Sequence, residues 1–399
     1  MSIKTAICLG ILLASAPLLT AQRVAPSANP PCGGRSTTGF ANWPQFQSDP
    51  CHTGYNANEF ILSPVNVGNI AAGWQGSTGG SSSPAVVNGV AYIGSFDGNV
   101  YALNASTGAQ LWKYTTDGAS GASPAVANGL VYAASQGKTL FALNAATGAL
   151  VWKYNAQTYF GSPVVADGIV YFASDVLNAV VAVDAATGTF LWQYQAPFAV
   201  TSTVAVANGV VYADATGVDL LALDAKTGIL RWIYPTGNTD NVDTAPAVAN
   251  GVVYVSVQFS GGGNKSGLDA VDAATGTRLW RYPIDLGEFV TTPAVANGIV
   301  YCATNYPDGY LYALDATNGT LVWRQPISSN GGSPAAIANG VVYFGADGPD
   351  LYALDAAKGT ILWDYKNCCG GGATPVIVNG VVYDARDQTL HTFHLSSHR

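Results

Sequence analysis

Two short stretches of the chain carry residue types that could do chemistry. Asp240, Asn241 and Asp243 place two carboxylates and an amide within a few residues of one another, and such oxygens are the ligands that Ca²⁺ prefers. Cys368 and Cys369 are adjacent, so they offer either two thiols or a disulfide between neighbouring residues. The sequence therefore indicates a candidate metal or ligand site and a candidate redox pair.

Each of these features also has an ordinary structural explanation. The spacing of Asp240, Asn241 and Asp243 matches no complete calcium-binding loop, and such residues are common in solvated turns. Cys368-Cys369 is followed by three glycines, which suits a pair of loop thiols. His391 and His394 lie three apart on a predicted strand and so point to opposite faces, which makes a poor zinc pair.

A repeat positions these residues. The pattern Ala-x-(Asp/Asn)-x-x-x-Gly-x-x-x-Trp recurs every 40 to 48 residues from Ala102 to Trp363, and a period of this size with strand-like content is typical of a repeat architecture. One unit contains four strand-sized pieces, shown by residues 123–154, and its first two pieces flank an Asn-Gly turn. Four such strands make one blade of a β-propeller.

The tryptophan of each repeat has a structural role in this interpretation. We expect its indole to pack between neighbouring blades, against the alanine and glycine of the next turn. The predicted docking residues are Trp74, Trp112, Trp152, Trp192, Trp232, Trp280, Trp323 and Trp363. Proline at the head of the first strand fits an innermost strand whose free edge faces a central channel.

Eight copies of the first strand are present, but the eighth has no tryptophan strand after it. The stretch Ile70–Gln75 contains Trp74 and can supply that strand from the other end of the chain. We therefore predict an all-β fold over residues 70–399, an eight-bladed β-propeller of four-stranded antiparallel blades closed by an N-terminal strand. Closure of this kind also removes two open sheet edges.

The repeat resembles the tryptophan-docking motif of the quinoprotein, or pyrroloquinoline quinone (PQQ)-repeat, propellers from about Ile70 to Leu395. That family includes PQQ- and calcium-dependent alcohol dehydrogenases and a non-catalytic lipoprotein that helps assemble outer-membrane proteins. In the dehydrogenases, PQQ lies between an indole and a vicinal disulfide, with Ca²⁺ beside it and an Asp as base. The resemblance implies that Cys368-Cys369 would contact PQQ, and that Asp240 or Asp243 would be the base.

The segment before the propeller has two predicted parts. Residues 1–21 have a lysine, an apolar run and a small-residue cleavage site, which predicts a signal peptide, although an uncleaved N-terminal anchor is the alternative. Residues 22–69 are predicted to be a linker followed by an extension that packs against the propeller. Export permits disulfides: Cys32 and Cys51 could form one, whereas Cys302 lies in a predicted strand and is expected to be a buried free thiol.

Composition excludes some partners. The formal charge is −8 with only 16 Lys and Arg, so no basic surface for nucleic acid is expected, and no further stretch is long enough to span a membrane. The longest repeat adds residues 236–243 and 259–266 on the face where blades connect. Neighbouring loops on that face contribute Asp285, Glu288, Asn305 and Asp308.

Two functions remain open at this point. The first is an exported, periplasmic or extracellular monomer that binds a protein or small ligand on its insertion-bearing face. The second is a PQQ- and calcium-dependent dehydrogenase for an alcohol or sugar-like substrate. Against the second, seven of the nine tryptophans belong to the repeat and Trp74 closes the ring, which leaves only Trp43 to stack on a cofactor.

Overall fold

A computed structural model describes residues 41–79, 82–157, 161–215, 219–236, 244–258, 266–284, 291–304, 308–327, 332–346, 350–366, 373–386 and 388–396. Over these ranges the chain forms eight antiparallel blades arranged in a ring, each ordered from an innermost to an outermost strand. A single 3-10 turn, Val67–Asn69, and a short strand, β1 (Tyr55–Asn56), precede them. The predicted eight-bladed propeller is confirmed.

Blades 1 to 4 take the following strands in order. Blade 1 has β3 (Ala85–Val87), β4 (Val90–Gly94), β5 (Asn99–Asn104) and β6 (Gln110–Thr115); blade 2 has β7 (Ala125–Ala127), β8 (Leu130–Ala134), β9 (Thr139–Asn144) and β10 (Leu150–Asn155). Blade 3 has β11 (Val164–Ala166), β12 (Ile169–Ser174), β13 (Ala179–Asp184) and β14 (Phe190–Gln195); blade 4 has β15 (Ala205–Ala207), β16 (Val210–Ala215), β17 (Asp219–Asp224) and β18 (Leu230–Pro235).

Blades 5 to 8 repeat the arrangement until the last strand. Blade 5 has β19 (Ala247–Ala249), β20 (Val252–Gln258), β21 (Ser266–Asp272) and β22 (Arg278–Ile284); blade 6 has β23 (Ala294–Ala296), β24 (Ile299–Ala303), β25 (Tyr310–Asp315) and β26 (Leu321–Pro326). Blade 7 has β27 (Ala336–Ala338), β28 (Val341–Gly345), β29 (Leu351–Asp355) and β30 (Ile361–Tyr365); blade 8 has β31 (Val376–Val378), β32 (Val381–Arg386) and β33 (Thr389–Leu395), with β2 (Ile70–Ser77) as its outermost strand.

The first hairpin of every blade turns at an Asn-Gly or Asp-Gly pair. Both residues of the pair have positive φ, as at Asn88 (52°) and Gly89 (78°), which is the type I′ geometry that matches the twist of two antiparallel strands. The corresponding first residues in the other blades are Asn128, Asp167, Asn208, Asn250, Asn297, Asn339 and Asn379. The predicted hairpins are therefore confirmed.

The ring closes as predicted. Strand β2 pairs antiparallel with β33, with Ile70 opposite Leu395 and Ser77 opposite Thr389, and the register shifts between Ala72 and Gln75. The chain thus begins blade 8 near its C-terminus and completes it with residues from near its N-terminus. Strand β2 thus covers the edge of β33 and takes the outermost place in blade 8 that β6 takes in blade 1.

The alternation of strands defines two faces of the ring. The face with the Asn-Gly turns and the Asp/Asn-to-Gly turns is called the turn face. The opposite face carries the connections between blades and those between second and third strands, and is called the loop face. The apolar core lies between blades, since each buried cluster combines strands of neighbouring blades, as Tyr132 and Val181 do for blades 2 and 3.

Candidate functional site: the central channel and the loop face

Residues 41–56, called the strap, follow the inner wall of the channel. The strap meets blade 1 first, where the backbones of Trp43 and Val86 exchange two hydrogen bonds of 2.7 and 2.8 Å. It then passes the innermost strands in ring order. The bonds are Val126 N–H to Pro44 O, Val165 N–H to Gln45 Oε1, Val206 N–H to Pro50 O, Val248 N–H to Cys51 O, Val295 N–H to Thr53 O, Ile337 N–H to Gly54 O, and Asn56 Nδ2–H to Ile377 O, at 2.6–2.9 Å.

Each of the eight innermost strands therefore has a hydrogen bond to the strap within the described residues. An innermost strand presents its unpaired backbone groups to the channel, and such groups are costly when they are buried without partners. The strap supplies partners from a segment that has no repeat of its own. An extension packed against the propeller was expected, but its course around the channel was not; its aromatic residues were the only sequence signal.

The strap contains a tight loop at residues 47–54. Asp49 holds this loop, since its carboxylate accepts from the N–H of Cys51 (3.0 Å) and Thr53 (3.1 Å) and from the Thr53 hydroxyl (2.5 Å). Gln47, Ser48 and His52 all have positive φ, at 54°, 73° and 58°. A non-glycine residue in this region carries strain, of order 1 kcal/mol or more, that the surrounding structure must hold.

His52 belongs to the tight loop of the strap and is fully buried. Its Nδ1 is 3.0 Å from the carbonyl oxygen of Pro246, at the head of the innermost strand of blade 5. Burial lowers the pKa of His52 to about 4, and the bond to the Pro246 carbonyl opposes that effect. The imidazole is therefore neutral near pH 7, and its ring packs edge-on against Phe46 with centroids 5.3 Å apart.

The other strap residue with a predicted chemical role is Trp43. It is also fully buried and belongs to the apolar cluster that contains Val86, Leu62 and Tyr343. Its indole faces are covered by the protein. The arrangement around Trp43 thus does not offer the open ring surface that a stacked quinone would need.

Seven of the eight junctions between described blades use the same contacts. The indole N–H of the outermost strand donates to an alanine carbonyl in the next blade at 2.9–3.1 Å, and a tyrosine of the second strand donates to the same carbonyl at 2.9–3.2 Å. The pairs of Trp and acceptor are Trp74–Ala105, Trp112–Ala145, Trp152–Ala185, Trp192–Ala225, Trp232–Ala273, Trp280–Ala316 and Trp323–Ala356.

A glycine lies under each of these indoles. At Gly188, for example, φ is +71° and a Cβ atom would come within 2.6 Å of the Trp152 ring. Glycine is needed both for the left-handed turn and for the close approach of the indole. Trp74 docks on Gly108 and Ala105 of blade 1 in the same way.

Trp363 has different surroundings. Blade 8 has no Asp/Asn-to-Gly turn, because its third strand ends near the C-terminus and its fourth strand comes from the N-terminal side. The ring of Trp363 instead lies nearly parallel to Tyr365 (14°) and edge-on to Phe393, with centroids 5.2 Å apart in the second pair. Tyr343, the equivalent of the donating tyrosines, has a buried hydroxyl without a partner among the described residues.

The junction between blades 7 and 8 has contacts of its own. The Asn339 side chain donates to the carbonyl oxygens of Phe60 and Leu62, at 3.3 and 2.8 Å. Buried Glu59 accepts from the N–H of Gly380 (3.0 Å) and of Ile61 (2.7 Å). Residues 59–62 thus bridge the Asn-Gly turns of the two blades where the regular turn is missing.

A buried ion pair lies at the same junction. Arg386 Nε donates to Asp384 Oδ2 at 2.5 Å, Arg386 Nη1 donates to the Asp350 carbonyl of blade 7 at 3.4 Å, and both charged side chains are fully buried. Burial raises the pKa of Asp384 against the opposing effect of Arg386. In the other blades the position of Arg386 holds Ser, Thr, Ala or Val, so sequence comparison of the repeats could have identified this arginine.

The predicted metal and cofactor residues lie outside the described ranges. Asp240, Asn241 and Asp243 fall between Thr236 and Thr244, and Cys368-Cys369 falls between Lys366 and Ala373. Both stretches connect an outermost strand to the next innermost strand, so both begin and end on the loop face. Asp285, Glu288 and Asn305 also lie outside. Among the residues that are placed, no three His, Cys, Asp or Glu side chains form a metal-binding group.

Asp308, by contrast, is described. Its carboxylate accepts from Thr304 (2.9 Å) and from the Tyr312 hydroxyl (2.7 Å), so it holds its own turn. Two cysteines are described. Cys51 is disulfide-bonded, and Cys302 is the predicted buried free thiol, whose pKa is raised by burial to about 12.

The loop face also exposes large apolar side chains that the sequence analysis did not single out. Phe96 follows β4 and is 54% exposed, Val176 follows β12 and is 41% exposed, and Phe198 follows β14 and is 45% exposed. Phe96 packs over Gly121 of the next connection. A contiguous patch of exposed apolar groups marks an interaction surface; side chains of similar exposure also lie on the outermost strands, such as Leu111 (52%) and Phe190 (49%).

Comparison with known proteins gives a consistent family. The family described as "Outer membrane protein assembly factor BamB" matches residues 65–158, 96–305, 238–325 and 307–395. No curated protein matches the chain.

Several solved structures share the fold at low identity. Quinohemoprotein alcohol dehydrogenase from Comamonas testosteroni has a TM-score of 0.72 at 16% identity, over 89% of this chain and 80% of that one. BamB from Moraxella catarrhalis has 0.67 at 17%, over 83% and 99%, and a europium-containing methanol dehydrogenase has 0.70 at 17%, over 87% and 89%. Within the placed residues, no helix has the length and apolar character to cross a bilayer.

Proposed function

The chain belongs to the PQQ-repeat propeller family that includes BamB, and from this premise we propose that it is an exported scaffold that binds a partner protein on its loop face. The observation that carries the proposal is the exposure of Phe96, Val176 and Phe198 on that face, in a protein whose channel edges are already bonded to its own strap. Binding surfaces of propellers are the loops and faces that the ring leaves available.

Export is part of the proposal. Residues 1–21 have the pattern of a signal peptide, and the disulfide at Cys51 suits an oxidising compartment. The BamB match also supports an envelope location, because its description names outer-membrane assembly. Mass spectrometry of the secreted or periplasmic protein, reading whether its first residue is Gln22, tests this part.

A crosslinking experiment tests the partner. Purified protein would be photo-crosslinked in an extract of its own cell envelope, and the partner identified and then produced separately. The Phe96→Ser/Phe198→Ser variant should weaken binding of that purified partner by tenfold or more, because aromatic anchors dominate interface energy. The control is Leu111→Ser/Phe190→Ser, which removes side chains of similar exposure from the outer rim. Equal binding by both variants and wild type would refute the loop face as the site.

The second candidate is a PQQ- and calcium-dependent dehydrogenase for an alcohol or sugar-like substrate. One observation favours it: Ala373 N–H bonds to the Ala385 carbonyl (3.1 Å), so the loop that contains Cys368-Cys369 ends beside the buried Asp384–Arg386 pair. PQQ would supply the electron acceptor, Cys368-Cys369 would contact it, Asp240, Asn241 and Asp243 would hold Ca²⁺, and Asp240 or Asp243 would take the substrate proton. The fully buried Trp43 does not fit as its stacking partner.

Reconstitution separates the two functions. Dye reduction with PQQ, Ca²⁺ and an alcohol series would show a quinone-dependent rate, lost in Cys368→Ser, only if the second function holds. Calorimetry with Ca²⁺ alone tests the metal site: heat from wild type that Asp243→Ala abolishes supports it, and no heat from either protein refutes it. The scaffold proposal predicts no quinone-dependent rate.

A further inference from the structure

We propose that the Asn-Gly turns of the turn face are sites of spontaneous covalent modification, and that residues 59–64, called the clip, keep two of them unmodified. The modification is deamidation, which converts Asn to Asp or to isoaspartate. The first hairpin of blade 3 turns at Asp167-Gly168. The other seven turn at Asn-Gly pairs, whose asparagines are Asn88, Asn128, Asn208, Asn250, Asn297, Asn339 and Asn379.

The reaction needs only the two residues of the turn and water. The backbone nitrogen of the glycine attacks Cγ of the asparagine side chain, and the bond from Cγ to Nδ2 breaks. The proton of the glycine N–H leaves with Nδ2 as ammonia, and a succinimide ring remains. Solvent water then opens the ring at either carbonyl, which gives Asp or isoaspartate without an oxidant or a reductant. Glycine favours the attack because no side chain blocks the approach of its nitrogen.

Backbone geometry does not distinguish the turns from one another. In all eight, φ of the first residue lies between 45° and 52° and φ of the glycine between 73° and 80°. Contacts do distinguish them. In five turns a Cβ atom on the glycine would meet nothing within 4 Å, and within the described chain neither the glycine N–H nor the asparagine side chain forms a hydrogen bond. These open turns are those of Asn88, Asn128, Asn208, Asn250 and Asn297.

The clip holds the attacking nitrogen of the turn in blade 8. The N–H of Gly380 donates to Glu59 Oε2 at 3.0 Å, and Gly380 is buried. A Cβ atom at Gly380 would lie 2.6 Å from the side chain of Ile61. The bond to Glu59 must therefore break, and Ile61 must move, before this nitrogen can attack Asn379.

The clip holds the leaving group of the turn in blade 7. Asn339 Nδ2 donates to the carbonyl oxygens of Phe60 and Leu62, at 3.3 and 2.8 Å. Both bonds must be lost before Nδ2 can leave as ammonia. Pro64 lies over the following glycine, since a Cβ atom at Gly340 would come within 3.5 Å of its ring.

The consequences of conversion differ between the two groups of turns. Asp167 has the same backbone geometry as the asparagines, so an open turn can hold a carboxylate. At position 339 a carboxylate would replace two donors with acceptors that face two carbonyl oxygens, which removes the bonds between the clip and blade 7. The clip thus protects the asparagine on which its own attachment depends.

Peptide mapping by mass spectrometry measures the conversion of each turn. Wild-type protein is incubated at mildly alkaline pH, sampled over time and digested. The free peptide Ala-Val-Ala-Asn-Gly-Val-Val-Tyr, the sequence of residues 205–212 and of 247–254, supplies the rate of an unfolded chain. We expect the open turns to convert, and Asn339 and Asn379 to convert at least about tenfold more slowly, since a factor of ten corresponds to about 1.4 kcal/mol, the size of one or two hydrogen bonds. Equal rates in all seven turns, or no conversion of open turns while the peptide converts fully, would overturn the proposal.

Two variants test the contacts of the clip. Glu59→Ala removes the acceptor of Gly380 N–H and should raise the rate at Asn379 by about tenfold. Ile61→Ala only uncovers the turn and should raise that rate several-fold; its side chain is 50% exposed, so this variant keeps the fold even if Glu59→Ala does not. The control is Ile229→Ala, which removes a side chain of similar exposure (66%) and should change no rate. No rise at Asn379 in Ile61→Ala, or an equal rise at Asn128, would refute protection by the clip.

Discussion

The regular blade junctions and the junction between blades 7 and 8 solve one packing problem in two ways. A regular junction buries an indole on a glycine and gives two donors to one alanine carbonyl, as Trp152 and Tyr132 do with Ala185. The junction of blades 7 and 8 has no such turn, and instead uses Glu59, Asn339 and the Arg386–Asp384 pair. The difference arises because the last two strands of blade 8, β33 and β2, are far apart in the chain and no turn joins them.

The comparison shows what closure by an N-terminal strand requires. Strand β2 restores a regular junction between blades 8 and 1, through Trp74 and Ala105. It cannot restore the turn between the third and fourth strands of blade 8, because those strands are not consecutive in the chain. The loss therefore falls on blade 7, whose Trp363 and Tyr343 would have docked on that turn.

The largest expected effect is at the buried ion pair. Arg386→Leu leaves Asp384 buried without its partner charge, which should lower the free energy of unfolding by about 3–5 kcal/mol. The control is Arg231→Leu, which breaks an exposed pair with Asp224 and should cost at most about 1 kcal/mol. Urea unfolding measures both. Similar losses in the two variants would mean that the ion pair does not stabilise the closing junction; Asp384→Leu/Arg386→Leu should recover most of the loss.

Replacing a docking tryptophan should also cost more at a regular junction than at the junction between blades 7 and 8. Trp152→Ala removes a buried ring and the donor to Ala185, so it should cost about 3–5 kcal/mol. Trp363→Ala removes only the packing of a partly buried ring against Tyr365 and Phe393, which should cost about 1.5–3 kcal/mol. Midpoints of denaturant unfolding compare the two variants, provided that the dependence of unfolding free energy on denaturant concentration has the same slope in both. A larger loss at Trp363 would show that the closing junction depends on its indole more than the regular ones do.

The strap bonds to the innermost strands of all eight blades, on both sides of the regular junctions and of the closing one. Its residue His52 makes the free energy of unfolding depend on pH. His52 has a folded pKa of about 4, below its unfolded value of about 6.5. As the pH falls, the unfolded chain therefore binds the proton before the folded chain does. Neutral, buried His52 contributes about 3 kcal/mol to the free energy of unfolding above pH 6.5, and this contribution is lost as the pH falls towards 4. His52→Asn should flatten the dependence of unfolding free energy on pH in this window. The exposed His394→Gln variant is the control, and equal slopes for all three proteins would contradict the assignment.

The sequence predicted the parts of the fold that repeat. The period of Trp, Gly and Asn-Gly pairs predicted eight blades and their closure by Trp74, since each repeat specifies the same local geometry. The course of the strap could not be predicted, because residues 43–56 bond through backbone atoms to strands as far away as Ile377. Trp363 has no glycine turn to dock on because blade 8 lacks that turn. The missing turn was visible in the sequence, but its consequence for Trp363 of blade 7 was not predicted. The predicted metal and cofactor residues fall in connections outside the described ranges.

The smallest and most discriminating prediction concerns two tyrosines at equivalent positions. The hydroxyl of Tyr301 donates to Ala356 at 3.1 Å across a regular junction, whereas the buried hydroxyl of Tyr343 has no partner in the described chain. Tyr301→Phe should therefore cost about 1 kcal/mol, the net worth of one hydrogen bond. Tyr343→Phe removes a polar atom that gains nothing from burial, so it should be neutral or slightly stabilising. Both changes delete one oxygen atom at the same place in the blade, so packing differences cancel. If Tyr343→Phe destabilises the protein as much as Tyr301→Phe does, the closing junction satisfies its tyrosine by another route, and the contrast between the two kinds of junction is wrong at this position.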